Sequence, residues 1–135
     1  MYLNKPYVKL VWDDDDGILI TYWEGFASFE ELKAVADRTL EAARHEGARR
    51  LLNDTRKMEL LDDDSQQYIS GEFTLKMVRA GVQFAATVLP EDDFAKESVE
   101  YIKGAIPTVV HHSNRYFTSV SKAKKWLKTK ATVNA

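Results

Sequence analysis

The sequence predicts an α/β fold: a mixed, mostly parallel sheet with an N-terminal antiparallel hairpin, in the order β-β-α-β-α-β-α-β-α. Three observations carry this expectation. Short β-branched and aromatic runs alternate with stretches of helical periodicity, and parallel neighbours need a crossover, usually a helix, between them. The first two runs are separated only by an acidic tip ending in Asp-Gly, a hairpin signal. The six glycines and three prolines of this 135-residue chain fall mostly at the boundaries that such a pattern requires.

Residues 7–12 (Tyr-Val-Lys-Leu-Val-Trp) and 18–23 (Ile-Leu-Ile-Thr-Tyr-Trp) are the two strands of the hairpin, with Asp13-Asp14-Asp15-Asp16-Gly17 as its tip. Ser28 with Glu31 three residues on is a capping box. Leu32, Val35, Ala36, Leu40 and Ala43 then recur at helical spacing. Arg44-His45 and Gly47 mark the end of a helix of about 18 residues, since basic last turns and a following glycine are how helices stop. Residues 49–53 read as a buried strand. A second helix is expected from about Asp64, with Ile69, Phe73, Met77 and Ala80 on one face and Gly81 as its stop. Gly71 inside it weakens the helix by about 1 kcal/mol relative to Ala. Residues 82–88 form the next strand, closed by Pro90. A third helix turns Phe94, Ser98, Val99, Ile102 and Ala105 inward and stops before Pro107. Residues 107–114 give no clear pattern. Residues 115–118 form a short strand, and Ser119 caps a last helix with Val120, Ala123 and Leu127 inward. No repeat or linker divides the chain, so residues 1–135 are expected to form a single domain.

Composition narrows the function. The chain is 44% hydrophobic and 30% charged, without cysteine. That excludes a disulfide scaffold, a cysteine-ligated metal and a thiol nucleophile. No stretch approaches the ~20 apolar residues of a membrane span, and no signal peptide is expected at the start. A soluble, cytoplasmic protein without stable membrane insertion is the expectation. Net charge is −2, with all 21 acidic residues before position 101 and seven basic residues without an acid after position 100.

Several segments carry a family resemblance. They are Tyr22-Trp23-Glu24-Gly25-Phe26 before the first helix, Leu51-Leu52-Asn53-Asp54 ending the third strand and Ala86-Thr87-Val88-Leu89-Pro90 ending the fourth. Phe117, Ala123, Trp126 and Leu127 complete the set as an F-x5-A-x2-W-L closing helix. On these the chain resembles the STAS superfamily (sulfate transporter and anti-sigma-factor antagonist), and within it the stand-alone bacterial SpoIIAA-like branch. The resemblance implies a mixed sheet packed against helices and a non-enzymatic regulatory or protein-interaction module. It also implies related CRAL-TRIO domains, which bind lipids in an apolar pocket, so a carrier for a small apolar or lipid ligand is the alternative. In the anti-sigma antagonists a serine after an aspartate at the start of the second helix is phosphorylated, and Asp64-Ser65 falls there. The family usually continues with a small hydroxyl residue and a glycine, whereas this chain has Gln66-Gln67. Asp62, Asp63 and Asp64 would also repel a phosphate by about 1 kcal/mol each. The other reading is that Asp64 or Ser65 caps the helix.

Other constellations have plain structural readings beside the functional ones. Counting back from Gly17 places Trp12 and Trp23 where an EF-hand needs acidic ligands, so the aspartates read as a solvated hairpin tip guarding an edge strand. His111-His112 point to opposite faces if extended, and no metal site is expected. Asp54 and Arg56 follow a central strand, where open α/β sheets bind ligands. There Asp54 could act as a general base and Arg56 as an anion clamp, or Asp54 could merely fix a loop. No nucleophile–base pair accompanies them, and enzymatic activity through Asp54 ranks last. Lys122, Lys124, Lys125, Lys128 and Lys130 suit a helix C-terminus and a solvated face, and pI near 5.9 argues against a nucleic-acid partner. A filled core is the first expectation between the second and third helices; the alternative there is a ligand pocket lined by Tyr68, Phe73, Met77, Phe94 and Tyr101. The remaining expectations are no cofactor, an unknown protein partner, and a homodimer through a sheet edge or helix face.

Overall fold

The chain runs β1 (Leu3–Lys5), β2 (Val8–Asp13), β3 (Ile18–Gly25), α1 (Phe29–Glu46), β4 (Arg50–Met58), α2 (Asp63–Tyr68), a π-helical turn (Ile69–Phe73) and α3 (Thr74–Arg79). It continues through β5 (Phe84–Val88), α4 (Asp93–Ala105), β6 (Asn114–Phe117) and α5 (Val120–Lys128). The structure, a computed structural model, describes residues 1–106 and 113–130. One six-stranded sheet has the order β1-β2-β3-β4-β5-β6. β1, β2 and β3 pair antiparallel, and β3 through β6 pair parallel.

This is the predicted α/β architecture with local differences. The hairpin closes at Asp13–Gly17: Gly17 N donates to Asp13 O at 2.8 Å and Gly17 sits at φ +65°. The capping box at Ser28 and Glu31 is formed, and α1 ends on Gly47 at φ +62°. An additional strand, β1, precedes the hairpin. Its residues are mostly exposed, so it lacks the apolar alternation that marks a strand in sequence. Tyr2 anchors it, donating its hydroxyl to Glu46 Oε2 at 2.6 Å at the end of α1.

β4 extends five residues past the expected strand end. Asp54, Thr55 and Arg56 therefore lie within a strand, not a loop. Their polarity hid the alternation. The expected second helix is interrupted by the π-helical turn at Gly71, where Thr74 donates its hydroxyl to Ile69 O at 2.6 Å. Its N-cap is Asp62, not Asp64 or Ser65; Asp62 Oδ1 accepts from Ser65 N at 2.8 Å. β5 begins at Phe84 rather than Val82. The tract 107–112, with His111-His112, lies outside the described residues.

Both faces of the sheet are covered, unequally. α1, α2, α3 and α4 lie on one face, in apolar clusters built on Leu19, Leu51, Leu32, Tyr68, Met77, Val99 and Ile102. α5 packs alone on the other, where Ala123 and Leu127 meet Ile18, Ile20, Leu52, Ala86 and Val88. A monotonic strand order with crossovers of one hand puts every crossover helix on the same side, which leaves the opposite side to the terminal helix. Lys124 and Lys128 of α5 face Asp13 and Asp16 of the hairpin tip at 3.6 and 3.4 Å. Two of the seven basic residues after position 100 are thus paired with acids of the hairpin tip.

Candidate functional site

The face beneath α1, α3 and α4 is not filled. A cavity of about 150 Å³ lies between it and the helices. Strand alternation dictates its floor: Thr21 and Trp23 of β3, Leu51, Asn53 and Thr55 of β4, Ala85 and Thr87 of β5, and Tyr116 of β6. Its walls come from Val35 and Ala36 of α1, Phe73 and Ile69 of the π-helical turn, Met77 of α3, and Val99 and Ile102 of α4. A residue in the middle of a covered sheet face is ordinarily sealed, yet Asn53, Ala85 and Thr87 are only half-buried.

The strand register aligns Thr21 with Asn53, Asn53 with Thr87, and Thr87 with Tyr116. A polar row therefore crosses four strands on the floor of an otherwise apolar cavity. Thr21 donates its hydroxyl to Asn53 Oδ1 at 2.7 Å. Burial, aided by Glu100, pushes the Tyr116 hydroxyl up to about 12, so it stays protonated through the physiological range.

The five residues expected to line a pocket divide three ways. Phe73 and Met77 line this cavity. Tyr68 is buried beside it, edge-on to Phe29 and tilted against Phe73, and its burial raises its pKa. Phe94 and Tyr101 are exposed. The buried stripe of α4 is Ala95, Ser98, Val99 and Ile102. Phe94 and Tyr101 each stand one residue, about 100°, ahead of it. Ala105, also expected inward, is exposed, and Ile106 takes its place.

Asp54 and Arg56 are together, away from the cavity. They project from the α5 side of β4, where Asp54 accepts from Arg56 Nε and an Arg56 terminal nitrogen at 3.0 and 2.9 Å. Asp54 Oδ1 also accepts from Arg56 N at 3.2 Å, and the carboxylate raises the Arg56 pKa further. A carboxylate with both oxygens engaged by one guanidinium is arranged for structure more than for proton abstraction.

Ser65 is wholly buried, and its hydroxyl is among the buried groups without a hydrogen-bond partner. Gln66, where the sequence departs from the family pattern, ties α2 down instead. Its Nε2 donates to Leu61 O at 2.8 Å and lies 3.3 Å from Ser98 Oγ, which accepts from Leu61 N at 3.1 Å. Sequence reading missed Gln66 because a buried glutamine has no periodic signature.

The carboxyl ends of β3, β4 and β5 form the remaining feature. Phe26, Leu60 and Phe94 follow those three strands and are 50%, 48% and 66% exposed. Glu59 N donates to Gly25 O at 2.9 Å, and Glu91 N to Arg56 O at 3.1 Å, so the three loops are adjacent. Exposed acids flank them in the sequence, Glu59, Asp62, Asp63, Asp64, Glu91, Asp92 and Asp93, against two exposed lysines, Lys57 and Lys96, the latter paired with Asp93 at 3.9 Å. Among the described residues, no helix is long and apolar enough to cross a membrane.

No protein-family model matches this sequence, and no curated protein is detectably similar to it. Solved structures are similar in fold. One is a candidate anti-sigma factor antagonist from Thermotoga maritima, with a TM-score of 0.65 at 14% identity over 90% of this chain and 94% of that one. Another is an uncharacterised protein of the DUF3478 family from Shewanella loihica, described as having a SpoIIAA-like fold. It gives a TM-score of 0.60 at 16% identity over 94% of this chain and 98% of that one. The SpoIIAA-like fold anticipated from the sequence is the fold of this protein.

Proposed function

We propose that this protein is a non-enzymatic, cytoplasmic regulatory module that acts by binding a protein partner at the carboxyl ends of β3, β4 and β5. The observation that carries this reading is the exposure of three large apolar side chains, Phe26, Leu60 and Phe94, on adjacent loops whose exposed residues are mostly acidic. Exposed apolar side chains ringed by charge are the anatomy of an interface core and rim. The acidic rim selects a basic partner face, because complementary charge steers encounter and rejects like-charged surfaces. The similarity in fold to a candidate anti-sigma factor antagonist agrees with this reading.

Affinity capture from the source cell, with Leu60→Asp/Phe94→Asp beside the wild type, is the test. A partner that the wild type retains at low salt, loses at high salt, and that the variant does not retain supports the proposal. Identical capture by both proteins removes it. Phosphorylation of Ser65 as the control of this surface requires the first turn of α2 to leave the core, since its hydroxyl is sealed. Homodimer formation belongs to the same proposal, with edge strands β1 and β6 as the available sheet edges. A monomer mass in sedimentation equilibrium would exclude the dimer.

A second reading, a binding protein for a small apolar ligand, is favoured by the cavity over the sheet. Its walls differ from the pocket expected between the second and third helices.

A further inference from the structure

We propose that the cavity selects a neutral ligand with an apolar body about one ring in size and a single hydrogen-bond acceptor, held against Asn53 and Thr87. The proposal rests on the ligand-binding reading and adds the chemistry of the ligand.

Size comes first. A cavity of about 150 Å³ is the size at which an apolar protein cavity admits benzene. Charge comes second. None of the described side chains that line it is a carboxylate, an ammonium, a guanidinium or an imidazole. Against these described side chains an ionised ligand would find no counter-charge, at a cost of several kcal/mol if buried. Hydrogen-bond polarity comes third. The hydroxyl protons of Thr21, Thr39, Thr55 and Thr74 are already donated, to Asn53 Oδ1, Val35 O, Val88 O and Ile69 O. Among the described residues the Asn53 amide nitrogen and the hydroxyls of Thr87 and Tyr116 have no protein acceptor, and Asn53 and Thr87 are the pair at the centre of the row. They are register partners on neighbouring strands. The amide nitrogen can only donate, so the group that satisfies it is an acceptor. Neighbouring strands lie about 4.8 Å apart, close enough for one carbonyl oxygen to lie between the side chains of register partners.

Acetophenone and its hydrocarbon isostere α-methylstyrene separate the two levels of the proposal. Each is titrated into the full chain, observed through the methyl resonances of Val35, Met77 and Val99, in wild type, Asn53→Leu and Thr87→Val. The quantity read is the ratio of ketone to hydrocarbon affinity, which cancels the different hydrophobicity of the probes. Both probes are expected to shift those methyls in the wild type. The ratio is expected to fall about three- to tenfold in each variant, the loss of one net hydrogen bond. A ratio unchanged in both variants, or binding of the hydrocarbon alone, overturns the acceptor assignment and leaves the ligand-binding reading standing. Absence of binding by either probe overturns both. Thr87→Val is nearly isosteric and keeps the Thr21–Asn53 bond, so it decides the matter if Asn53→Leu fails to fold.

Discussion

Arg50 of β4 closes the last turn of α5: its Nε donates to Leu127 O at 2.9 Å, and a terminal nitrogen donates to Lys130 O at 2.8 Å. The final carbonyls of a helix lack intrahelical donors, and a cation there also meets the negative end of the dipole. Arg50→Ala is expected to cost about 1–3 kcal/mol, the worth of hydrogen bonds made by a charged group. Urea denaturation with hydrogen exchange on α5 checks it. An unchanged midpoint would mean that the last turn is capped by water equally well.

Ser65 gives a paired test. Its unpartnered hydroxyl contributes nothing by hydrogen bonding, so Ser65→Ala should be neutral or stabilising by up to about 1 kcal/mol. Ser65→Asp would place a carboxylate in the core beside Asp62, Asp63 and Asp64, and should cost about 3 kcal/mol or more. Equal melting temperatures for the two variants would show that this turn opens readily.

Gly71 lies in the π-helical turn, and a Cβ added to it would meet nothing within 4 Å. Its backbone has no positive φ to relieve. Gly71→Ala is therefore expected to stabilise by about 0.5–1 kcal/mol through helix propensity. A loss of stability in thermal unfolding would contradict the open space at that position.

Ala85 stands half-buried on the cavity floor. Ala85→Leu extends apolar atoms into unfilled space and should raise stability by about 0.5–2 kcal/mol while blocking acetophenone. Destabilisation of about 1–3 kcal/mol, the usual cost of overpacking, would show that no usable space exists there.

Tyr116 sets an alkaline limit. Its folded pKa, raised to about 12 by burial, exceeds the ordinary tyrosine value of about 10 that holds in the unfolded chain. The stabilisation of its neutral form is complete below pH 10 and is lost as pH rises from there through 12. Absorbance titration at the tyrosinate band should show a late-ionising group that disappears in Tyr116→Phe. Stability should fall less steeply over that range in the variant.

What the sequence disclosed was whatever is decided locally. The Asp-Gly tip, the Ser28–Glu31 box and Gly47 each act within a few residues, and all three appear where periodicity and capping rules put them. Misreadings arose where a distant element decides. Asp54, Thr55 and Arg56 stay in a strand because β3 and β5 flank them, whatever their propensity. Phe94 and Tyr101, expected at a pocket, stand one residue out of phase with the buried stripe of α4 and lie in solvent. The sequence favours a filled core, and the cavity lies over the sheet instead of between the second and third helices. Across its floor runs a row of four polar side chains from four strands, and only the register brings them together.

The strand order of the sheet is also the order of synthesis. Each strand needs as neighbours only the one made before it and the one made after it, so the sheet can grow vectorially from the β1 side. No finished pair has to reopen to admit a latecomer. A nascent chain that pauses after β4 or β5 would then present a shorter sheet with one raw edge, not a sheet with a gap. That edge accepts the next strand in turn, and until it arrives the same edge is where a strand from another copy would add.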